Sequence, residues 1–340
     1  MKPTFGPLRI LRPQGRAVLA GLLALSVAAL AACSSGSGSQ QRQQAEPTPA
    51  TRTIATERGP VEVPGDPKRI VVLSGSLAGY LYDLDAPVVA TDTRVLGVTN
   101  LDGGFPPSWA ADARAQGTTP LPAGEQLNIE AVAAAQPDLI IGGGQGITAI
   151  QAQENYDKLA AIAPTVLVPT TVVDWQEQLR IIAEATGRTD RVDGLVKAYT
   201  DKVAQVKSSI TVPNEPVVFI LSLANNEPYL IPPKATLPAL AGELGFTVDD
   251  VLTKAGNPEL FGSGDSFTVS PELLGQVANA PVAFVVRVGG RSAEELAQDP
   301  VYAQLPAFAN NRVYELPATS YRPDYDGIMQ TLDLFAEQFS

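Results

Sequence analysis

Short apolar, β-branched runs recur along the chain in two matching blocks. In the first, Ile70-Val71-Val72-Leu73 is followed by Ser74-Gly75; in the second, Val217-Val218-Phe219-Ile220-Leu221 is followed by Ser222. Runs of this kind, without polar alternation, predict strands buried on both faces of a sheet. Further on, Asn128-Ile129-Glu130-Ala131-Val132 precedes Pro137-Asp138-Leu139-Ile140-Ile141-Gly142-Gly143. Its counterpart is Ser270-Pro271-Glu272-Leu273-Leu274 before Pro281-Val282-Ala283-Phe284-Val285-Val286, with Gly289-Gly290 beyond. Each reads as a capped helix start with a glutamate in the first turn, then a strand headed by proline. Ser74 precedes Glu130 by 56 residues and Ser222 precedes Glu272 by 50. The pattern predicts a duplicated α/β unit around mostly parallel sheets.

Between the blocks the apolar period changes from strand-like to helical. Asp174 is placed to cap a segment in which Leu179, Ile182 and Ala183 share a face. After Gly187, Thr189 or Asp190 is placed to cap a second segment, with Val192, Leu195, Val196, Tyr199, Val203 and Val206 at three- and four-residue spacing. The expected fold is two Rossmann-like α/β lobes, 54–172 and 211–340, joined over 173–210 by a single long α-helix, with a ligand cleft between them.

The N-terminal pattern is different. Lys2, Arg9, Arg12 and Arg16 precede an apolar run from Ala17 to Leu30 that ends on Leu30-Ala31-Ala32-Cys33, and no acid occurs in residues 1–32. Basic start, apolar middle and small residues at the cut describe a secretory signal. The run is shorter than the roughly 20 apolar residues a membrane span requires. The tetrapeptide resembles a bacterial lipobox, whose cysteine is lipid-modified. Residues 1–32 are therefore expected to be a signal peptide and Cys33 the anchor on the outer face of the cytoplasmic membrane. Residues 33–53, rich in Gly, Ser, Gln and Pro, are expected to be a flexible tether.

Composition narrows the chemistry. Cys33 is the only cysteine, so no disulfide can form within the chain. Loss of the four basic signal residues takes the formal net charge from −12 to −16, which argues against nucleic acid as a partner. Histidine is absent. That removes a Ser-His-Asp hydrolase, the usual axial ligand of haem and the commonest zinc and copper ligand. Neither a nucleophile–base pair nor a phosphate-cradling loop is evident, and no Asp/Glu group has metal-ligand spacing; the expectation is a monomeric binding protein without cofactor or metal, not an enzyme.

Several stretches in order are similar to one known family. They are Lys68 to Ser74, Leu84 to Ala90, Glu130 to Ala134 with Pro137 to Ile140, Leu159 to Thr165, Tyr321-Arg322-Pro323-Asp324-Tyr325, and Met329 to Asp333. From about Val61 to Phe339 the chain resembles the substrate-binding lipoproteins of siderophore-type ABC importers. That resemblance implies two lobes on a stiff helix, a ferric siderophore in the cleft, iron held by the siderophore alone, and delivery to an ABC permease. It assigns Glu130 and Glu272 to permease docking and Arg322 to the ligand. Carboxylates in helix first turns also have a local role, opposing the helix dipole.

In α/β lobes ligands bind at the carboxyl ends of the strands. This points to Ser74 and Ser76, the loop from Arg94 through Trp109, and Gly142–Gly146. In the second lobe it points to Asn225 through Tyr229, Arg287, Tyr321 and Tyr325. The resemblance favours a ferric tris-catecholate as cargo; aromatic and multiply negative, it would require aromatic faces and guanidinium groups in the cleft. The chain departs from the resembling pattern at Leu230-Ile231 and in the length of the Leu101–Gly104 loop. A hydroxamate siderophore, haem or cobalamin carrier of the same fold therefore stays open. So does an envelope glycan- or protein-binding module, whose signature would be an exposed Trp109 or Trp175.

Overall fold

The computed structural model describes residues 50–340; the signal segment 1–32, Cys33 and the tether up to residue 49 lie outside the described residues. Thr51–Thr53, assigned to the tether from composition, instead begin a hairpin of β1 (Thr51–Thr56) and β2 (Gly59–Pro64), where Thr51 faces Pro64. Alternating residues Ile54 and Val63 turn inward and are buried, which composition alone did not reveal.

The first lobe is built on a five-stranded sheet of β3 (Ile70–Val72), β4 (Val88–Thr91), β5 (Thr119–Pro120), β6 (Leu139–Gly143) and β7 (Thr165–Val168). Its order is β5-β4-β3-β6-β7 and every pair is parallel. The second sheet contains β8 (Val217–Leu223), β9 (Tyr229–Leu230), β10 (Phe267–Thr268), β11 (Val282–Val288) and β12 (Val313–Pro317) in the order β10-β9-β8-β11-β12. Here β8, β11 and β12 run parallel, while β9 and β10 are antiparallel additions. The central strands β3, β6, β8 and β11 are buried on both faces apart from Leu223 and Arg287, as their unbroken apolar runs require.

Asn128 caps the Ile129–Ala134 helix by accepting from the Ala131 backbone N–H at 2.9 Å, and Asp174 caps Trp175–Thr186 by accepting from that of Glu177 at 2.8 Å. Ser270 precedes the Pro271–Val277 helix without a side-chain cap, and Pro271 supplies the preset backbone instead. Neither Thr189 nor Asp190 caps the next helix. Gly187, in a left-handed conformation (φ 75°), closes one helix so abruptly that Thr189 is already the first residue of the next, Thr189–Ser209. Asp190 instead opposes the dipole from the first turn.

This 21-residue helix, about 31 Å long, is the connector between the sheets. Val192, Tyr199 and Val206 form its buried stripe. At its middle, Trp175 packs edge-on to Tyr199 (centroids 5.0 Å apart) and tilts against Tyr325 (5.8 Å), at the start of the C-terminal helix Tyr325–Phe339. One aromatic side chain thus joins three helices. Further along, Phe335 and Phe339 close over Phe246 and Phe284 in the second lobe.

Candidate ligand cleft between the lobes

Strand order reverses around β3 and around β8 and β11, and the chain leaves those sheets at points where a crevice forms. Two adjoining cavities, of about 340 and 330 Å³, lie between the lobes. The first lobe contributes Ser76 after β3, Arg94 to Gly97 after β4, and Gly144 to Thr148 after β6. The second lobe contributes Pro317 to Thr319 at the end of β12, and Arg322. Ser76, Val95, Gly97, Ala318, Thr319 and Arg322 border both cavities. At Gly97 (φ 74°) the lobes touch: a Cβ there would lie 2.7 Å from the Cβ of Ala318 and 3.0 Å from the Cα of Val288. A second bridge runs from the Gln145 side-chain amide, which donates to the Ser263 hydroxyl across the cleft.

Two guanidinium groups reach this space, and each is matched by a carboxylate of its own lobe. Arg94 forms an ion pair with the buried Asp92, and its remaining N–H groups donate to the Gly124 carbonyl at 3.0 Å and the Gln151 side-chain oxygen at 2.8 Å. Arg322 grips the buried Asp265 through Nε and Nη2, the latter at 3.0 Å from Oδ1. The Tyr321 hydroxyl donates to the same Oδ1 at 2.9 Å. Burial works against the Arg322 charge, but the Asp265 carboxylate outweighs it and holds the guanidinium above its usual range. Burial, with Asp265 next to it, pushes the Tyr321 phenol well up, so it remains a neutral donor.

The structure therefore brings together Ser76, Arg94, Tyr321 and Arg322 from the sequence-predicted set. Others are elsewhere. Trp109 is completely buried, stacked on Tyr82 (5.6 Å) and tilted against Phe105 (5.8 Å), because the loop from Arg94 folds back under the first lobe. Ser74 is also buried, accepting from the Thr148 hydroxyl at 3.2 Å beneath the cleft floor. Tyr325 is taken by Trp175. Arg287 points to solvent and donates to the Gly290 carbonyl at 3.0 Å. Tyr229 lies outside both cavities, on the antiparallel strand β9 at the sheet's β10 side, bonded to Asn225 and Glu227 and tilted against Phe261. Trp175, only 3% exposed, also presents no stacking face to a sugar.

Asp92, Asp265 and Ser263 carry no motif in the sequence, whereas Gln145 lies in the glycine-rich Gly142–Gly146 stretch expected at the cleft. The docking candidates Glu130 and Glu272 are both exposed in the first turns of their helices. The Ser270 hydroxyl and the backbone N–H of Glu272 hold the Glu272 carboxyl below its ordinary range. Among the described residues no group of three or more His, Cys, Asp or Glu is placed to hold a metal ion.

Two α/β lobes on a helical spine with a cleft between them define a substrate-binding protein of the transport type. The sequence model of the periplasmic binding protein family matches residues 70–319, and the chain belongs to that family. It is 30% identical over 292 residues to the ferric enterobactin-binding periplasmic protein of Escherichia coli O6:H1, covering 83% of this chain and 89% of that one. It is 31% identical over 188 residues to the iron(3+)-hydroxamate-binding protein FhuD of Bacillus subtilis, covering 55% and 53%. Among solved structures it is similar to PiaA of Streptococcus pneumoniae TIGR4 in complex with ferrichrome, with a TM-score of 0.65 at 20% identity, covering 84% and 97%. The family and these relatives are binding proteins, not enzymes.

Proposed function

We propose that this protein captures a ferric siderophore in the interlobe cleft and delivers it to an ABC permease for iron uptake. The observation that carries the reading is the pair of adjoining cavities, about 340 and 330 Å³, lined from both lobes in a member of this family. Together they reach the size of ordinary small-molecule sites, roughly 300–1,000 Å³. Iron coordination belongs to the siderophore, and the chain contributes no cofactor of its own. The geometry supports best a complex of low net charge, such as a trihydroxamate, since both guanidinium groups at the cleft are already matched by carboxylates. A tris-catecholate is the second reading, favoured by the enterobactin-binding relative that spans most of the chain.

Calorimetric titration with a ferric trihydroxamate and a ferric tris-catecholate tests this. Saturable binding of at least one at sub-micromolar concentration (Kd below about 1 µM, roughly −8 kcal/mol) is expected; binding of neither overturns the proposal.

Delivery rests on Glu130 and Glu272 as paired, exposed acids that orient the protein on a basic permease surface. Such contacts set encounter and register more than affinity. The double variant Glu130→Ala with Glu272→Ala is expected to abolish cellular uptake while leaving ligand affinity unchanged. Normal uptake would exclude the docking role. Export as a monomer with a lipid on Cys33 completes the reading, and mass measurement of the membrane-extracted protein would detect the acylated cysteine.

A further inference from the structure

We propose that Asp265 is a specificity-determining residue, which sets the charge of the cleft and selects ferric complexes of low net charge over multiply negative ones. This rests on the siderophore reading above.

Among the described residues, Arg94 and Arg322 are the only cationic side chains bordering either cavity. Arg94 is consumed within its own lobe by Asp92, Gly124 and Gln151. Arg322 is the one guanidinium with a free edge: Nη1 has no protein partner among the described residues, while Nε and Nη2 are held by Asp265. Arg322 is thus a directed hydrogen-bond donor without net charge to offer. A ligand oxygen can accept from Nη1, but an anionic complex meets the Asp265 carboxylate directly behind the guanidinium. Tyr321 and Asp324, the other titratable groups at the cavity walls, add no positive charge. A multiply negative cargo would be buried without a counter-charge, at a cost a neutral cargo avoids.

Asp265 is built to stay in place. A tight turn with Gly262 and Gly264 at positive φ (56° and 87°) is closed by the Phe261 N–H donating to the Ser266 carbonyl at 2.8 Å, which presents the carboxylate to Arg322 and Tyr321. Ser263 from the same turn approaches Oδ2 at 3.5 Å and accepts from Gln145 of the opposite lobe. The residue that neutralises Arg322 therefore belongs to the turn through which the two lobes meet.

Two substitutions of opposite sign provide the test, read as the ratio of affinities for a ferric tris-catecholate and an uncharged ferric trihydroxamate. Asp265→Asn keeps the Oδ1 acceptor for Tyr321 and Arg322 Nη2, gives up the one for Nε, and unmasks the guanidinium. It is expected to raise the catecholate-to-hydroxamate affinity ratio by about tenfold or more, the scale of one close charge pair at a desolvated interface. Arg322→Gln leaves Asp265 uncompensated and is expected to lower the same ratio by about tenfold. Melting curves accompany both, and if Asp265→Asn does not fold, the fall with Arg322→Gln still decides. A purely structural role would weaken both complexes in parallel and leave the ratio unmoved, which overturns the proposal. Wild-type protein binding neither complex would instead overturn the siderophore reading itself.

Discussion

Asp83→Asn is expected to raise the melting temperature at pH 8 by several degrees and to change it little at pH 4. Asp83 ends the Gly75–Asp83 helix, where a carboxylate is repelled by the negative end of the dipole, and its Oδ2 is buried without a hydrogen-bond partner among the described residues. Around it stand Asp112, Asp324 and Asp326. Burial, then Asp326, Asp324 and Asp112, pushes the Asp83 carboxyl up to about 9, and burial with Asp324 and Asp112 pushes Asp326 up to about 7. Asp324 is raised as well, by burial, although it caps the C-terminal helix by accepting from the Gly327 N–H at 2.8 Å. In the unfolded chain these groups ionise near pH 4. The folded state therefore keeps protons that the unfolded state releases, so stability is greatest below pH 4 as far as these groups are concerned. It is lost as pH rises through about 7 and then about 9. Each tenfold change in proton affinity between the two states is worth roughly 1.4 kcal/mol, so the cluster weighs several kcal/mol. Melting curves of wild type and Asp83→Asn between pH 4 and 9 read this out. Parallel curves for the two proteins would show that Asp83 ionises normally.

Trp109→Ala is expected to cost about 3–5 kcal/mol of stability, the range for truncating a large buried aromatic. The ring is fully enclosed between Tyr82 and Phe105, and no part of it reaches either cavity. Trp109→Phe, which keeps most of the packing, is expected to leave ligand affinity unchanged. Urea unfolding and calorimetric titration separate the two effects. A stable Trp109→Phe protein with weakened affinity would mean that the ring does contact cargo.

The framework was legible because it rests on local and periodic signals. Short, unbroken, β-branched apolar runs such as Val217–Leu221 favour strands covered on both faces, and Asn128 and Asp174 stand where caps are needed. The site was legible only where a strand end or a motif marked it, as at Ser76 and Arg322. Charge balance was not, because Asp265 and Arg322 are 57 residues apart and nothing local ties them together. Aromatic residues misled for a related reason. Trp109 in a Pro/Gly loop looks exposed in one dimension, yet Phe105 and Tyr82 wait to cover it once the loop folds back. The short antiparallel strands β9 and β10, two residues each, are too brief to leave a periodic trace.

The contact at Gly97 changes what capture means in energetic terms. The lobes rest against each other in the middle of the cleft, Gly97 on Ala318 and Val288, and only a residue without a side chain lets them come so near. Cargo that spans both cavities has to take the place of that contact. Its affinity is then a difference between two packings, guest on protein against protein on itself, and a tighter self-contact would make a weaker trap.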